Sequence, residues 1–238
     1  PFRGVSLNHT SAERLVMEVR ESLARLFNIR LSSNIVFSYN ATHALNIAIK
    51  GILNESDHVI ISDAEHNSVI RPLHTLKKTK KVEVDVLNLI VDNVFKADVL
   101  DNLIRPTTKL IIVNHASNVT GDIFPIEQIG KIAQSRGINF LVDCSQTAGL
   151  VDIDVERCNI DILVGTGHKT LLGPPGIGFF YVRDEHLVKP LYEGGGGYDS
   201  LSPEHPSHMP FKYEAGTINY LGIAGLKNSL EYIKKRKT

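Results

Sequence analysis

Short apolar runs alternate with amphipathic stretches along most of this 238-residue chain, and that rhythm restricts the folds open to it. The spacing predicts strands over 34–38, 58–62, 82–87, 109–113, 138–142, 162–164 and 177–182, with a further short one over 211–214. Helices are expected over 11–27, from just past Thr42 to about Leu53, and over 68–80, 97–104, 126–134 and 219–235. The first carries Leu15, Val19, Leu23 and Leu26 at helical spacing behind a capping Ser11. The second carries Leu45, Ala48, Ile49 and Ile52, and the last Ile223, Leu226, Leu230 and Ile233. Strand–helix–strand alternation of this kind builds a mostly parallel sheet covered by helices on both faces, an α/β fold.

In such a sheet the ligand crevice lies outside the carboxyl ends of the strands. Thr42, His66, Asn118, Asp143, Gln146, His168 and Lys169 all follow closely on predicted strands. One polar strand end means little, but a carboxylate, amides, imidazoles and a lysine in one domain suggest a site. The turn at Tyr39-Asn40-Ala41-Thr42 leaves free N–H groups at a helix start, where an anion can sit, although a simple capped helix reads the same way. His66 alone reads equally as a satisfied strand-end histidine, and Asn118 as a turn residue.

The stretch from Asp161 to Gly178 is the most informative. A short strand ends in Gly165-Thr166-Gly167, His168-Lys169 follow, and Gly173-Pro174-Pro175-Gly176 makes a rigid turn into the next strand. A lysine between two buried strands is poorly explained as a solvated charge. In such a place a lysine forms a Schiff base readily, because desolvation favours its free amine. The stretch is no P-loop, which needs glycine directly before its lysine, and its glycines do not follow G-x-G-x-x-G. Cys144, Cys158 and the scattered histidines, including His205 and His208, lack zinc-ligand spacing, so no metal site is expected.

Composition narrows the class further. The length suits one large domain, 1–238, with a flexible Gly-, Ser- and Pro-rich loop over 194–210. Lys plus Arg and Asp plus Glu balance at 26 each, so no net field points to nucleic acid or membrane. No apolar run nears the roughly 20 residues that span a bilayer. Two cysteines make no disulfide framework and favour a reducing, cytoplasmic setting. The chain opens on Pro1-Phe2-Arg3-Gly4 without methionine, which reads as a fragment or a processed start.

A lysine, a strand-end aspartate and a hydroxyl-bearing helix start together suggest pyridoxal 5'-phosphate (PLP). That cofactor needs an amine for its aldehyde, a carboxylate at its pyridine nitrogen and donors for its phosphate. Asp143 and Lys169 lie 26 positions apart, so they can occupy neighbouring strand ends.

Six stretches then carry a family resemblance. They are Asn40-Ala-Thr-His-Ala-Leu-Asn46, Glu65-His-Asn-Ser68, Asn114-His-Ala-Ser-Asn-Val-Thr-Gly121, Val142-Asp-Cys-Ser-Gln146, Thr166-Gly-His-Lys169 with Gly173-Pro-Pro-Gly-Ile-Gly178, and Phe211 to Asn219 with Glu-Ala-Gly-Thr. The chain resembles the large domain of class V aminotransferases, PLP enzymes of fold type I, and most of all their cysteine desulfurase and selenocysteine lyase branch. The resemblance implies a three-layer α/β/α domain with a seven-stranded sheet. It implies removal of sulfur from L-cysteine to give L-alanine, with transamination, selenocysteine lysis, or a PLP-binding fragment without full activity as alternatives. Lys169 would bind PLP as a Schiff base and move the α-proton. Asp143 would pair with the pyridinium, Gln146 would bond the ring hydroxyl, and His66 would stack on the ring and relay protons. The backbone of Ala41, with Thr42, Thr166 and His168, would hold the phosphate, and Asn118 would lie near ring and substrate. Thr217 would reach the phosphate of a neighbouring subunit, implying a homodimer, and a sulfur-acceptor protein would be a further partner. The family's N-terminal segment and C-terminal small domain would lie outside 1–238, along with the nucleophilic cysteine and the carboxylate-binding arginine. Thr42-His43 and Cys144-Ser145 depart from the family pattern and bear on substrate preference.

Overall fold

A computed structural model describes residues 11–88, 97–196, 198 and 201–237. Its strands are β1 (Ile35–Ser38), β2 (His58–Ser62), β3 (Glu83–Leu87), β4 (Thr108–Asn114), β5 (Asn139–Asp143), β6 (Ile162–Thr166) and β7 (Gly178–Val182). They form one sheet in the order β1-β7-β6-β5-β4-β2-β3. Strand β7 runs against both neighbours, and every other pairing is parallel. The helices are α1 (Ser11–Phe27), α2 (Ala41–Ile52), α3 (Asn67–Thr79), α4 (Ala97–Leu103), α5 (Ile126–Ser135) and α6 (Tyr220–Lys237).

Alternation along the strands splits the interior into two cores. Ile111, Val113, Phe140 and Val142 face a core shared with α1, α4, α5 and α6. Leu110, Ile112 and Leu141 face the opposite core, closed by α2 and α3. The central strands are buried on both sides, which is why they read as continuous apolar runs. The edge strand β3 instead exposes Glu83, and charge on an edge discourages further pairing.

The expected apolar faces of α2 and α6 are buried as read. Helix α1 is rotated from its expectation: Val16, Val19, Leu23 and Phe27 are buried, while Leu15 and Leu26 are only partly covered. Ser11 is already helical rather than preceding the helix. The strand expected over 211–214 is a turn. Its tie is Tyr213, whose hydroxyl donates to Val188 O at 2.6 Å in place of ladder bonds.

Parts of the 194–210 loop, Gly197, Asp199 and Ser200, lie outside the described residues. The rest has no helix or strand, yet Tyr198, His208 and Phe211 pack their rings together, with Tyr198 and Phe211 centroids 5.1 Å apart. No described helix is long and apolar enough to cross a membrane.

Candidate active site

The register levels the ends of three strands. Asn114 at the end of β4 pairs with Asp143 at the end of β5, and Asp143 pairs with Val164 of β6. Beyond these ends lies a cavity of about 260 Å³. Of the residues predicted for a site, Ala41, Thr42, His66, Asn118, Asp143, Gln146, Thr166, His168 and Lys169 all line it. Five separate segments of chain therefore converge on one space.

Asp143 is 5% exposed. Its Oδ1 accepts from Ser145 N at 2.9 Å and Ser145 Oγ at 2.6 Å, and its other oxygen has no hydrogen bond among the described residues. Burial pushes this carboxyl above the usual range, while the Ser145 bonds and the nearby Lys169 and His66 pull it down. A buried carboxylate with one free oxygen calls for a cationic or N–H-bearing partner from the cavity.

Lys169 stands in the turn after β6. The turn is possible because Gly165 lets the Phe179 ring approach; a Cβ there would meet it at 2.6 Å. Gly173 N then donates back to Gly167 O at 2.7 Å, and Gly176 takes a φ of +78°. The sequence reading placed this lysine between buried strands, but the structure makes it half-buried, because it opens onto the cavity. Lys169 Nζ has neither hydrogen bond nor ion pair among the described residues.

The opposite wall is the start of α2. Asn40 caps it, its Oδ1 accepting from His43 N at 2.9 Å. The N–H groups of Ala41 and Thr42 donate to no protein acceptor among the described residues, and they sit at the positive end of the helix dipole. Thr166 Oγ1 lies 3.0 Å from His168 Nδ1 on the facing side.

His66 caps α3, with Ser68 N donating to its Nδ1 at 3.1 Å. Its neighbour Glu65 is buried. Glu65 Oε1 accepts from Ser62 Oγ and from Asn114 N, the latter at 2.7 Å, so it ties the ends of β2 and β4. Its Oε2 has no partner among the described residues, and burial pushes the carboxyl up to about 8.

Asn118 is exposed in a turn held by Ser117, whose Oγ accepts from Val119 N and Thr120 N at 3.2 Å each. Gln146 is half-buried beside Lys169. Thr217 is not in the cavity. It lies exposed in a separate cleft with Tyr39 and His43. Glu214 anchors that segment, bonded to Arg20 and accepting from Phe37 N at 2.7 Å.

Sequence reasoning assigned no role to Asn40, Ser68, Asn114 or Ser145, which also line the cavity. Ser145 had a usable signal: a serine two residues after a strand-end aspartate is the pattern of a local side-chain–backbone turn. Asn40 acts as a local helix cap, whereas Ser68 and Asn114 act through contacts between segments distant in sequence.

The donor set suits PLP: an unpaired amine, a buried carboxylate with a free oxygen, and unspent N–H groups at a helix start. The comparisons agree. The chain belongs to the aminotransferase class-V family, whose sequence model matches residues 1–238 and whose members are PLP-dependent enzymes. A cysteine desulfurase of Wigglesworthia glossinidia brevipalpis is 31% identical over 243 aligned positions, covering 98% of this chain and 59% of its own length. The apo structure of a cysteine desulfurase from Thermococcus onnurineus NA1 matches with a TM-score of 0.88 and 30% identity, over 98% of this chain and 60% of its own. A C-DES mutant with glycine covalently linked to its PLP cofactor matches with a TM-score of 0.84 and 25% identity, over 94% of this chain and 61% of its own. The chain thus spans about three fifths of the length of the curated relatives it matches.

Proposed function

We propose that residues 1–238 are the cofactor-binding large domain of a PLP-dependent cysteine desulfurase-like enzyme, which takes sulfur from L-cysteine and leaves L-alanine. The observation that carries this reading is the convergence of Lys169, Asp143 and the open start of α2 on one cavity. Bound there, PLP supplies an electron sink for negative charge at the substrate's α-carbon.

The chain's own residues do the rest. Lys169 Nζ would hold the cofactor through its aldehyde and, with that amine free, would move the substrate's α-proton. The oxygen of Asp143 left free by Ser145 would accept from the ring N–H, and that cation would lower the cost of burying the carboxylate. Ala41 and Thr42 N–H, the Thr42 and Thr166 hydroxyls and His168 would hold the phosphate. His66 would cover one face of the ring, Gln146 would bond its hydroxyl, and Asn118 would lie by the substrate. Overall, cysteine and a thiol give alanine and a persulfide.

Neither cysteine of this chain suits that thiol. Cys144 is fully buried, its Sγ 3.1 Å from Val164 O, and burial pushes its thiol well up; burial raises Cys158 as well. The accepting thiol therefore belongs to another segment or to a partner protein. The family resemblance assigns Thr217 to a neighbouring subunit's cofactor in a homodimer, and its exposure outside this chain's own cavity supports that reading. Two free cysteines suit a reducing, cytoplasmic compartment.

The share of relatives covered supports a second reading of this stretch by itself, a domain that binds PLP without complete turnover. Sulfide release from L-cysteine tests both. The desulfurase reading expects it from a longer chain containing these residues. PLP binding without release in that longer chain contradicts the desulfurase assignment.

A further inference from the structure

The cavity contains one element that cofactor binding does not require. Ser68 joins the anion cup to His66: its Oγ lies 2.7 Å from Thr42 Oγ1 and 2.8 Å from His66 Nδ1. The direction of these bonds follows from a third. Ser68 N sits 3.1 Å from the same Nδ1, and a backbone N–H can only donate. Nδ1 is therefore the unprotonated nitrogen, and the neutral ring carries its proton on Nε2. Ser68 Oγ must then donate to Nδ1 as well. With its one hydrogen spent there, it accepts from Thr42, so the Thr42 hydroxyl hydrogen points at Ser68 and away from the open N–H groups of α2.

An anion seated on those N–H groups demands the opposite. A charge-assisted bond from Thr42 to the anion is roughly twice as strong as its neutral bond to Ser68. Once Thr42 turns, its oxygen becomes an acceptor, and the Ser68 hydrogen can turn to it. Each hydroxyl still donates once, Thr42 to the anion and Ser68 to Thr42, which keeps a hydrogen in the 2.7 Å contact between the two oxygens; the Ser68 bond to His66 is given up, and Nδ1 keeps only the backbone donor.

We propose that Ser68 is a positioning residue that couples anion occupancy at the start of α2 to the hydrogen bonding of His66, through the chain Thr42–Ser68–His66. The coupling rests on the reading of that helix start as the cofactor's phosphate site. It gives His66 an additional role: its Nδ1 lone pair is released from the Ser68 hydroxyl only when the phosphate is seated.

¹⁵N NMR of the uniformly labelled chain, with inorganic phosphate as the probe, tests this. In the wild type, phosphate should shift the Thr42 amide and move His66 Nδ1 towards the position of a less hydrogen-bonded acceptor. Two variants should freeze the response at opposite ends. In Ser68→Ala, Nδ1 should start where the phosphate-bound wild type finishes and stay there. In Thr42→Val it should remain at the phosphate-free position, because no hydroxyl is left to turn. A Thr42 amide that shifts while His66 ignores phosphate overturns the coupling and leaves the phosphate site standing. So does a Ser68→Ala protein that responds like the wild type, since the effect would then pass through space. A wild-type Thr42 amide indifferent to phosphate and to PLP removes the phosphate site and the coupling together.

Discussion

At the rim where the parallel strands begin, His58, Thr108, Asp85, Glu83 and Arg105 close on one another; at the rim where they end, Asp143, Lys169, His66 and Thr42 surround open space. His58 is fully buried and its Nδ1 lies 2.8 Å from Thr108 Oγ1. Thr108 Oγ1 also accepts from Arg105 N at 2.7 Å. Arg105 in turn pairs with Glu83 and donates to Asp85 at 2.5 Å. The one imperfect joint is His58 Nε2, 3.2 Å from Asp85 Oδ2 but not aligned as a hydrogen bond. Both rims use histidine, threonine and carboxylates. At the first rim nearly every donor and acceptor is spent within the protein, which stabilises the fold. At the second an amine, a carboxylate oxygen and two N–H groups are left over among the described residues, and those leftovers are the proposed site.

The sharpest way to break this contrast is Lys169→Ala. In a longer enzyme carrying it, sulfide release should fall by about 10²- to 10⁴-fold, the range for loss of a positioned proton-transfer group. A small change would mean that Lys169 is an ordinary surface lysine.

Asp143→Asn should separate function from stability. A charge-assisted bond is worth about 1.5–3 kcal/mol, so PLP affinity should drop about ten- to hundredfold in an equilibrium titration. The cofactor-free chain should unfold at higher urea than the wild type, because burial already disfavours this carboxylate. An equal loss of stability would make Asp143 a structural residue like His58.

Between the rims in character stands Glu65. Burial raises it to about 8 from 4.5, against its bonds from Ser62 and Asn114 N–H. Above the unfolded pKa the unfolded chain has lost a proton that the folded chain keeps. Its contribution is therefore fully present below about 4.5, and stability falls as pH rises towards 8, by at most about 1.4 kcal/mol per pH unit. The slope should be cleanest above pH 6.5, the ordinary value for histidine. Burial holds His115 near 4, so its opposite slope is confined below that point. Urea unfolding across this range should show the decline in the wild type, and Glu65→Gln should lack it.

The smallest effect is expected at the starting rim. Thr108→Val should cost about 1–2 kcal/mol in unfolding free energy, the price of two broken bonds in a buried cluster. PLP binding should be unchanged. A weakened cofactor affinity there would show that the two rims are not independent.

How far the sequence revealed all this differs by level. The central strands and the faces of α2 and α6 were legible because burial on both sides writes itself as apolar runs and helical spacing. The α1 face was not, since Leu15 and Val16 are adjacent and only packing against α6 decides which turns inward. The turn at 211–214 misled because Tyr213 looks strand-like but is held by its hydroxyl, bonded to Val188 O and Glu185 O, and by a turn bond from its N–H to Pro210 O. Of the site, the residues at strand ends were legible because the topology rule says where to look. Ser68 and Glu65 were not assigned roles, because theirs depend on partners 26 and 49 positions away. The exposure of Lys169 was misjudged for the same reason: the strands around it are buried, but the space it faces is made by other segments.

The central claim is that Lys169 is the amine this fold leaves free for the cofactor. Incubation of the chain with PLP, borohydride reduction and peptide mass mapping tests it most directly. The account predicts visible Schiff-base absorption before reduction and a single dominant pyridoxyl-lysine, at Lys169. No visible absorption, or label spread over exposed lysines such as Lys77 and Lys78 with none favoured, would contradict it.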